Sequence, residues 1–158
     1  MKMEWTERLS VGNELIDSEH SNLISLTSNV IRLIEIRGNS SLAQAFEQLE
    51  LWLCLHFASE EKIAQAIDFD FSQHKLAQQF MLNELRFLKN LLNAKNCLWF
   101  DGAIEHFSGF MKNWMIAGHI VRLDMLMKPA LQTYPYDFKI DSASATGYAL
   151  TSSININK

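Results

Sequence analysis

The sequence predicts an all-α protein, an antiparallel up-down-up-down four-helix bundle with an N-terminal arm and an irregular C-terminal tail. Three observations predict it. Only 2 prolines and 6 glycines interrupt 158 residues, too few for a turn-rich fold. Four long segments carry apolar residues at alternating steps of three and four, the period of a helix with one buried face. Short breaks separate them, at Gly38, at "DFDFS" (68–72) and at "NAKNCLWFDG" (93–102), and short connections make neighbouring helices antiparallel.

Taken in order, residues 1–16 read as an irregular arm anchored by Trp5, Leu9 and Val11. Asp17 offers an N-cap for a first helix over 18–37, with Leu23, Thr27, Val30, Ile31 and Ile34 on one stripe and Gly38 as its stop. Ser40 or Ser41 caps a second helix, whose seam runs Phe46, Leu49, Leu53, His56, Glu60, Ile63, Ile67. A third covers 72–93, from Ser72, with the seam His74, Gln78, Met81, Leu85, Leu88, Leu92. A fourth covers 102–127, with Ile104, Phe107, Phe110, Trp114 and Leu123 among its apolar positions. The periodicity fails from about 129. The expected organisation is therefore one bundle domain over 1–128 and a tail without a packed core over 129–158, with Tyr134, Tyr136 and Phe138 as aromatics that dock on the bundle.

Composition narrows the function. Hydrophobic residues at 48% and charged ones at 20% suit an ordinary globular chain. A formal net charge of −4 and no cluster of Lys or Arg argue against nucleic-acid or anionic-membrane partners. "MKMEWTERLS" has no apolar stretch after its charges, so a secretory leader is not expected, and no run reaches the length of a membrane span. Cys54 and Cys97 form neither a CxxC nor a disulfide framework, and read as reduced core residues in a cytoplasm.

The seams carry an unusual set of polar residues. These are His20 on the first helix, His56 and Glu60 on the second, His74 and Gln78 on the third, and His119 and Asp124 on the fourth. At about 1.5 Å per residue and with alternating helix directions, the four histidines fall towards one end of the bundle. Singly, each is an ordinary hydrogen-bonded core residue. Together they are different, because two buried carboxylates cost several kcal/mol unless something neutralises them. A dication does so, and neutral imidazoles complete its shell. Six or seven donors exceed one four-coordinate zinc site and suit two ions bridged by carboxylates. Imidazole-rich shells favour iron, zinc or copper over magnesium or calcium. Neither Glu-x-x-His nor HExxH occurs. His106 lies about 20 Å along the helix from His119 and belongs to no such site.

Trp5, "LSVGNELIDSEHSNL" at 9–23, "HFASEE" at 56–61, "HK" at 74–75, "FMKNW" at 110–114 and "HIVRLD" at 119–124 together resemble the hemerythrin family, specifically bacterial single-domain members, over residues 5–127. The resemblance implies a four-helix bundle with two non-haem iron ions that binds O2, or another small diatomic ligand, reversibly. It implies that His20 and His56 ligate one iron, His74 and His119 the other, and that Glu60 and Asp124 bridge them. It implies an apolar surround, including Leu23, Leu53 and Trp114, that limits entry of water. The chain departs from the family pattern in three places. Gln78 stands where a second histidine is expected four residues after His74. The connection before His74 is one residue short. Trp114 and His119 are five apart where four is usual, which a π-bulge near Gly118 would absorb. Two other readings stay open: a degenerate bundle holding one metal, or zinc, as a structural or signalling module, and a di-iron oxidase or peroxidase.

Overall fold

The computed structural model describes residues 3–37, 39–93 and 101–134. Its four long helices are α1 (Glu14–Glu35), α2 (Asn39–Ala66), α3 (Ser72–Asn93) and α4 (Asp101–Asn113), and α4 continues as a π-helical stretch over Trp114–Val121. A 3-10 turn at Asp124–Leu126 leads into a short helix, α5 (Lys128–Thr133). Helix α1 packs on α2 and α4, and α2 packs on α3, three of the four neighbour pairs of the predicted bundle.

The seams fold as their spacing dictates. Every predicted seam residue of α2 and α3 is buried, the polar ones included. The largest apolar cluster gathers Leu23, Ile24, Phe46, Leu49, Leu53, Met81, Leu85, Met111, Trp114 and Met115 with their neighbours. A second, smaller cluster gathers Val11, Ile16, Ile63, Ile67, Phe71, Met127 and Leu131 at the other end of the seams. Fully burying such a side chain is worth about 1.5–3 kcal/mol. The polar seam residues lie between these two apolar clusters.

Several local expectations are corrected. The N-cap of α1 is Asn13, whose side chain accepts from the Ile16 N–H at 3.1 Å. Asp17 lies in the first turn and accepts from the Val11 N–H (2.8 Å) and the Ser10 hydroxyl (2.6 Å), so it fastens the arm onto the helix. Helix α1 ends at Glu35, with Arg37 in the left-handed region at φ 55°, and Gly38 lies outside the described residues. Helix α2 starts at Asn39, which puts Ser40 and Ser41 inside its first turn. The fourth helix stops short of 127, because the π-helical stretch shifts its register. Its buried residues are Ser108, Met111, Trp114, Met115, His119 and Ile120, while Ile104, Phe107, Phe110 and Leu123 are only partly buried. Cys54 is exposed, not core, because it sits one step off the Leu53 seam; Cys97 lies outside the described residues. The chain packs beyond 128: α5 buries Leu131 (2% exposed), whereas Tyr134 is 63% exposed. Tyr136, Phe138 and the rest of the expected tail lie outside the described residues. Among the described residues, no helix is long and apolar enough to cross a membrane.

Candidate metal centre

Four elements deliver the polar side chains to one point. His20 comes from the second turn of α1, His56 and Glu60 from successive seam positions of α2, and His74 from the first turn of α3. His119 comes from the π-helical stretch, and Asp124 from the 3-10 turn after it. The wider π-turn and the turn at 122–123 bring Asp124 beside His119 although they are five positions apart, a spacing that no regular α-helix face provides. His20, His56, Glu60, His119 and Asp124 are fully buried, and His74 and Gln78 nearly so.

Asp124 sits at the middle of the set. Its Oδ2 lies 2.9 Å from His20 Nε2 and 3.2 Å from His119 Nε2, and its Oδ1 lies 2.8 Å from His74 Nε2. Glu60 faces the same space, with Oε2 3.5 Å from His56 Nε2 and Oε1 3.9 Å from His74 Nε2. Two groups of donor atoms emerge, each with its members within 4.8 Å of one another: His20, His56, His119 and Asp124, and Glu60, His74 and Asp124. All six ligands expected from the sequence are thus gathered, with Asp124 common to both groups. Their sorting differs from the one the resemblance implies, because His119 lies with His20 and His56, not with His74. Gln78 reaches the site, but its Nε2 donates to Glu60 Oε2 at 2.7 Å. His106 is exposed and takes no part.

Burial works against charge at every titratable group of the set. Burial pushes both Glu60 and Asp124 well above the usual carboxylate range, and their mutual repulsion adds to the effect on Asp124. Burial likewise holds the imidazoles neutral, lowering His56 to about 3 and His74 to about 4, with His20 and His119 also far down. Neutral imidazoles are the form that binds metal. Several buried atoms of the set have no hydrogen-bond partner: His56 Nε2, Glu60 Oε1 and both ring nitrogens of His119. Buried polar atoms are almost always satisfied, so a cluster of unsatisfied atoms among acids and imidazoles fits a divalent transition metal.

The outer contacts of the site were not read from the sequence. Glu19 accepts from His56 Nδ1 at 2.8 Å, which directs the Nε2 lone pair inward, and the Ser59 hydroxyl donates to the other oxygen of Glu19 at 2.9 Å. Burial raises Glu19 to about 7, against the lowering pull of Ser59. Phe71 stacks on His74 with ring centres 4.6 Å apart, and Phe57 sets its ring against His119 at 5.3 Å. The available signal was adjacency: Glu19 precedes one ligand, and Ser59 lies one turn beyond another. A groove of about 910 Å³ along Phe80, Met81, Phe110 and Trp114 lies outside the donor set, and none of the site histidines lines it.

No protein-family model matches the chain, and no solved structure matches it significantly. Curated relatives do. The chain is 27% identical over 128 residues to a protein named "Hemerythrin-like protein" from Naegleria gruberi, which covers 80% of this chain and 92% of that one. The like-named protein of Naegleria fowleri matches to the same extent. A protein named "Bacteriohemerythrin" from Pseudomonas aeruginosa is 22% identical over 82 residues, 51% of this chain and 54% of the relative.

Proposed function

We propose that the chain is a hemerythrin-family protein, in line with its curated relatives, and that it is a non-haem di-iron protein that binds O2 for storage, delivery or sensing. The observation that supports this best is the buried set of four neutral imidazoles and two carboxylates with unsatisfied atoms facing one another. His20, His56, Glu60, His74, His119 and Asp124 would hold the ions. Iron, when bound, supplies the redox couple that O2 needs.

The rest is the work of this chain's own residues. Glu19 fixes the tautomer and aim of His56. Glu60 and Asp124 neutralise the ions and lie where both groups of donors can share them. Leu23, Leu53 and Trp114, each buried, keep water and protons away, which favours reversible binding over consumption of O2. The proposed ligand is a small diatomic, and the proposed location is the cytoplasm, which rests on the sequence reading alone.

The contact of Gln78 with Glu60 favours a variation on this reading. An amide that donates to a carboxylate offers no imidazole nitrogen, so the His74 side has fewer donors than the family pattern and is more open to exogenous ligands. Oxidase or peroxidase turnover would enter there. The test loads the protein with Fe(II) without air and follows the visible spectrum through air and degassing. A band that appears and reverses supports O2 carriage. Steady consumption of O2 or peroxide with a reductant supports the enzyme reading, and an unchanged spectrum contradicts both.

A further inference from the structure

We propose that α3 pairs with α3 of a second copy of this chain, antiparallel across a two-fold axis, through an exposed apolar stripe of Leu76, Phe80, Phe87 and Leu91. This surface is separate from the metal centre and does not depend on the metal reading.

Four of the ten large apolar side chains left exposed among the described residues lie on α3. They are Leu76 (59% exposed), Phe80 (64%), Phe87 (69%) and Leu91 (42%). At about 100° per residue they fall within about 60° of one another, about 130° round the helix from the buried seam that begins at His74. Helix α3 thus has two apolar faces, and the bundle covers one of them. The second does not face α2, because Arg86 and Lys89 reach Glu50 of α2 from another side of the helix. It borders the groove against α4, which Phe80 lines together with Phe110 and Trp114.

The order of the stripe says what covers it. Leu76 and Leu91 lie equally far from a point between Asn83 and Glu84, and so do Phe80 and Phe87. A two-fold axis at that point sets each Leu opposite a Leu and each Phe opposite a Phe, which is the self-complementary pattern of an isologous contact. A different protein would require no such symmetry. Asn83 and Glu84, nearest the axis, meet their own copies on the two flanks of the stripe. The two Asn83 amides can each donate to the other's oxygen, and a single asparagine of this kind fixes register in paired helices. The two Glu84 carboxylates repel and keep the pairing weak. With about 200 Å² for each side chain when fully exposed, the stripe presents about 500 Å², at the upper end for a patch on a monomer. Two copies bury about 1,000 Å² through it, the threshold for a specific interface, so the dissociation constant falls in the micromolar range.

The experiment is sedimentation equilibrium of the full-length protein, as purified with its metal, over a concentration series. The average mass should rise from one chain towards two. Phe80→Glu and Phe87→Glu should each weaken the dimer at least about tenfold, since the axis makes every substitution count twice. Both positions are at the surface, so circular dichroism and melting of the monomer should not change. Glu84→Gln should tighten the dimer about twofold by removing a like-charge pair. Asn83→Cys, with Cys54→Ser and Cys97→Ser, should give a disulfide-linked dimer in air, because helix axes about 8–10 Å apart bring the two copies of position 83 within disulfide reach. Glu47→Cys, at an exposed position of α2, should give none in the same background. A single chain at every concentration would overturn the proposal, and if a chain ending at Tyr134 then dimerised, residues 135–158 would be the occupant instead. A dimer unmoved by Phe80→Glu and Phe87→Glu would place the interface on another face. A dimer that fails to link through position 83 would refute the antiparallel register.

Discussion

Replacing Glu60 with Gln should have opposite effects on the metal-free and the metal-loaded protein. In the metal-free protein, burial raises Glu60, Asp124 and Glu19, so at mildly acid pH the folded state holds three protons that the unfolded state lacks. Their stabilising contribution is full below the unfolded carboxylate pKa of about 4.5 and is lost as pH rises towards the raised folded values. Burial lowers His20, His56, His74 and His119, so their contribution is full above about 6.5 and is lost as pH falls. Each unmatched proton gives a slope of about 1.4 kcal/mol per pH unit. Four histidines against three carboxylates balance when the unfolded histidines are about three-quarters protonated, which puts the optimum near pH 6, about half a unit below their unfolded pKa. In Glu60→Gln the balance is four against two. The optimum moves up by about half a unit, and the alkaline loss becomes shallower by up to about 1.4 kcal/mol per pH unit. With metal the sign reverses. A shared carboxylate is gone, so the stabilisation by added Co(II) or Fe(II) falls, and at 100 times the dissociation constant that term is about 2.7 kcal/mol. Urea unfolding from pH 5 to 8.5, with chelator and with metal, measures both. A metal-free variant that is less stable at pH 8 than the parent would show Glu60 to be a structural hydrogen-bond partner and would refute the reasoning.

Metal binding at pH 7 should release protons, because Glu60 and Asp124 are held up by burial and must ionise to ligate, so affinity should rise with pH; calorimetry in buffers of differing ionisation enthalpy reads the number, and a buffer-independent heat would contradict it. Leu53→Ala should cost about 2–5 kcal/mol in urea unfolding, since Leu53 is fully buried in the main cluster beside the site helix position His56; a cost under about 1 kcal/mol would mean the seam is loosely packed. A chain ending at Tyr134 should keep its metal and its stability, whereas one ending at Ala130 loses the buried Leu131 and about 2–3 kcal/mol; equal melting of the two would leave α5 without a packing role.

The seams were legible because a three-four repeat has one structural solution at this length, and His56 and Glu60 declare themselves as polar members of an apolar row. Helix rise alone places the four histidines towards one end of the bundle. Asp124 was not accessible that way. It follows His119 by five residues, and only the π-helical stretch and the 3-10 turn make them neighbours, so its place came from the family resemblance. The nearness of His119 to His20 and His56 was also hidden, because ring-to-ring distances depend on how the π-turn rotates the end of the fourth helix. Glu19 was invisible for a simpler reason: an exposed-looking acid on α1 becomes a partner of His56 only when α2 packs across it. Gln78 was read as a seam residue aimed at the site, which it is, but the direction of its amide depends on Glu60, eighteen residues away.

Metal content per chain, measured by elemental analysis after expression in iron-supplemented medium and gentle purification, tests the central claim most directly. Non-haem iron is expected at one ion per chain or above, up to two, with any shortfall on the His74 side and lower occupancy in His56→Ala. Protein that is folded, helical and free of iron and every other transition metal, before and after anaerobic reconstitution with Fe(II), would contradict it.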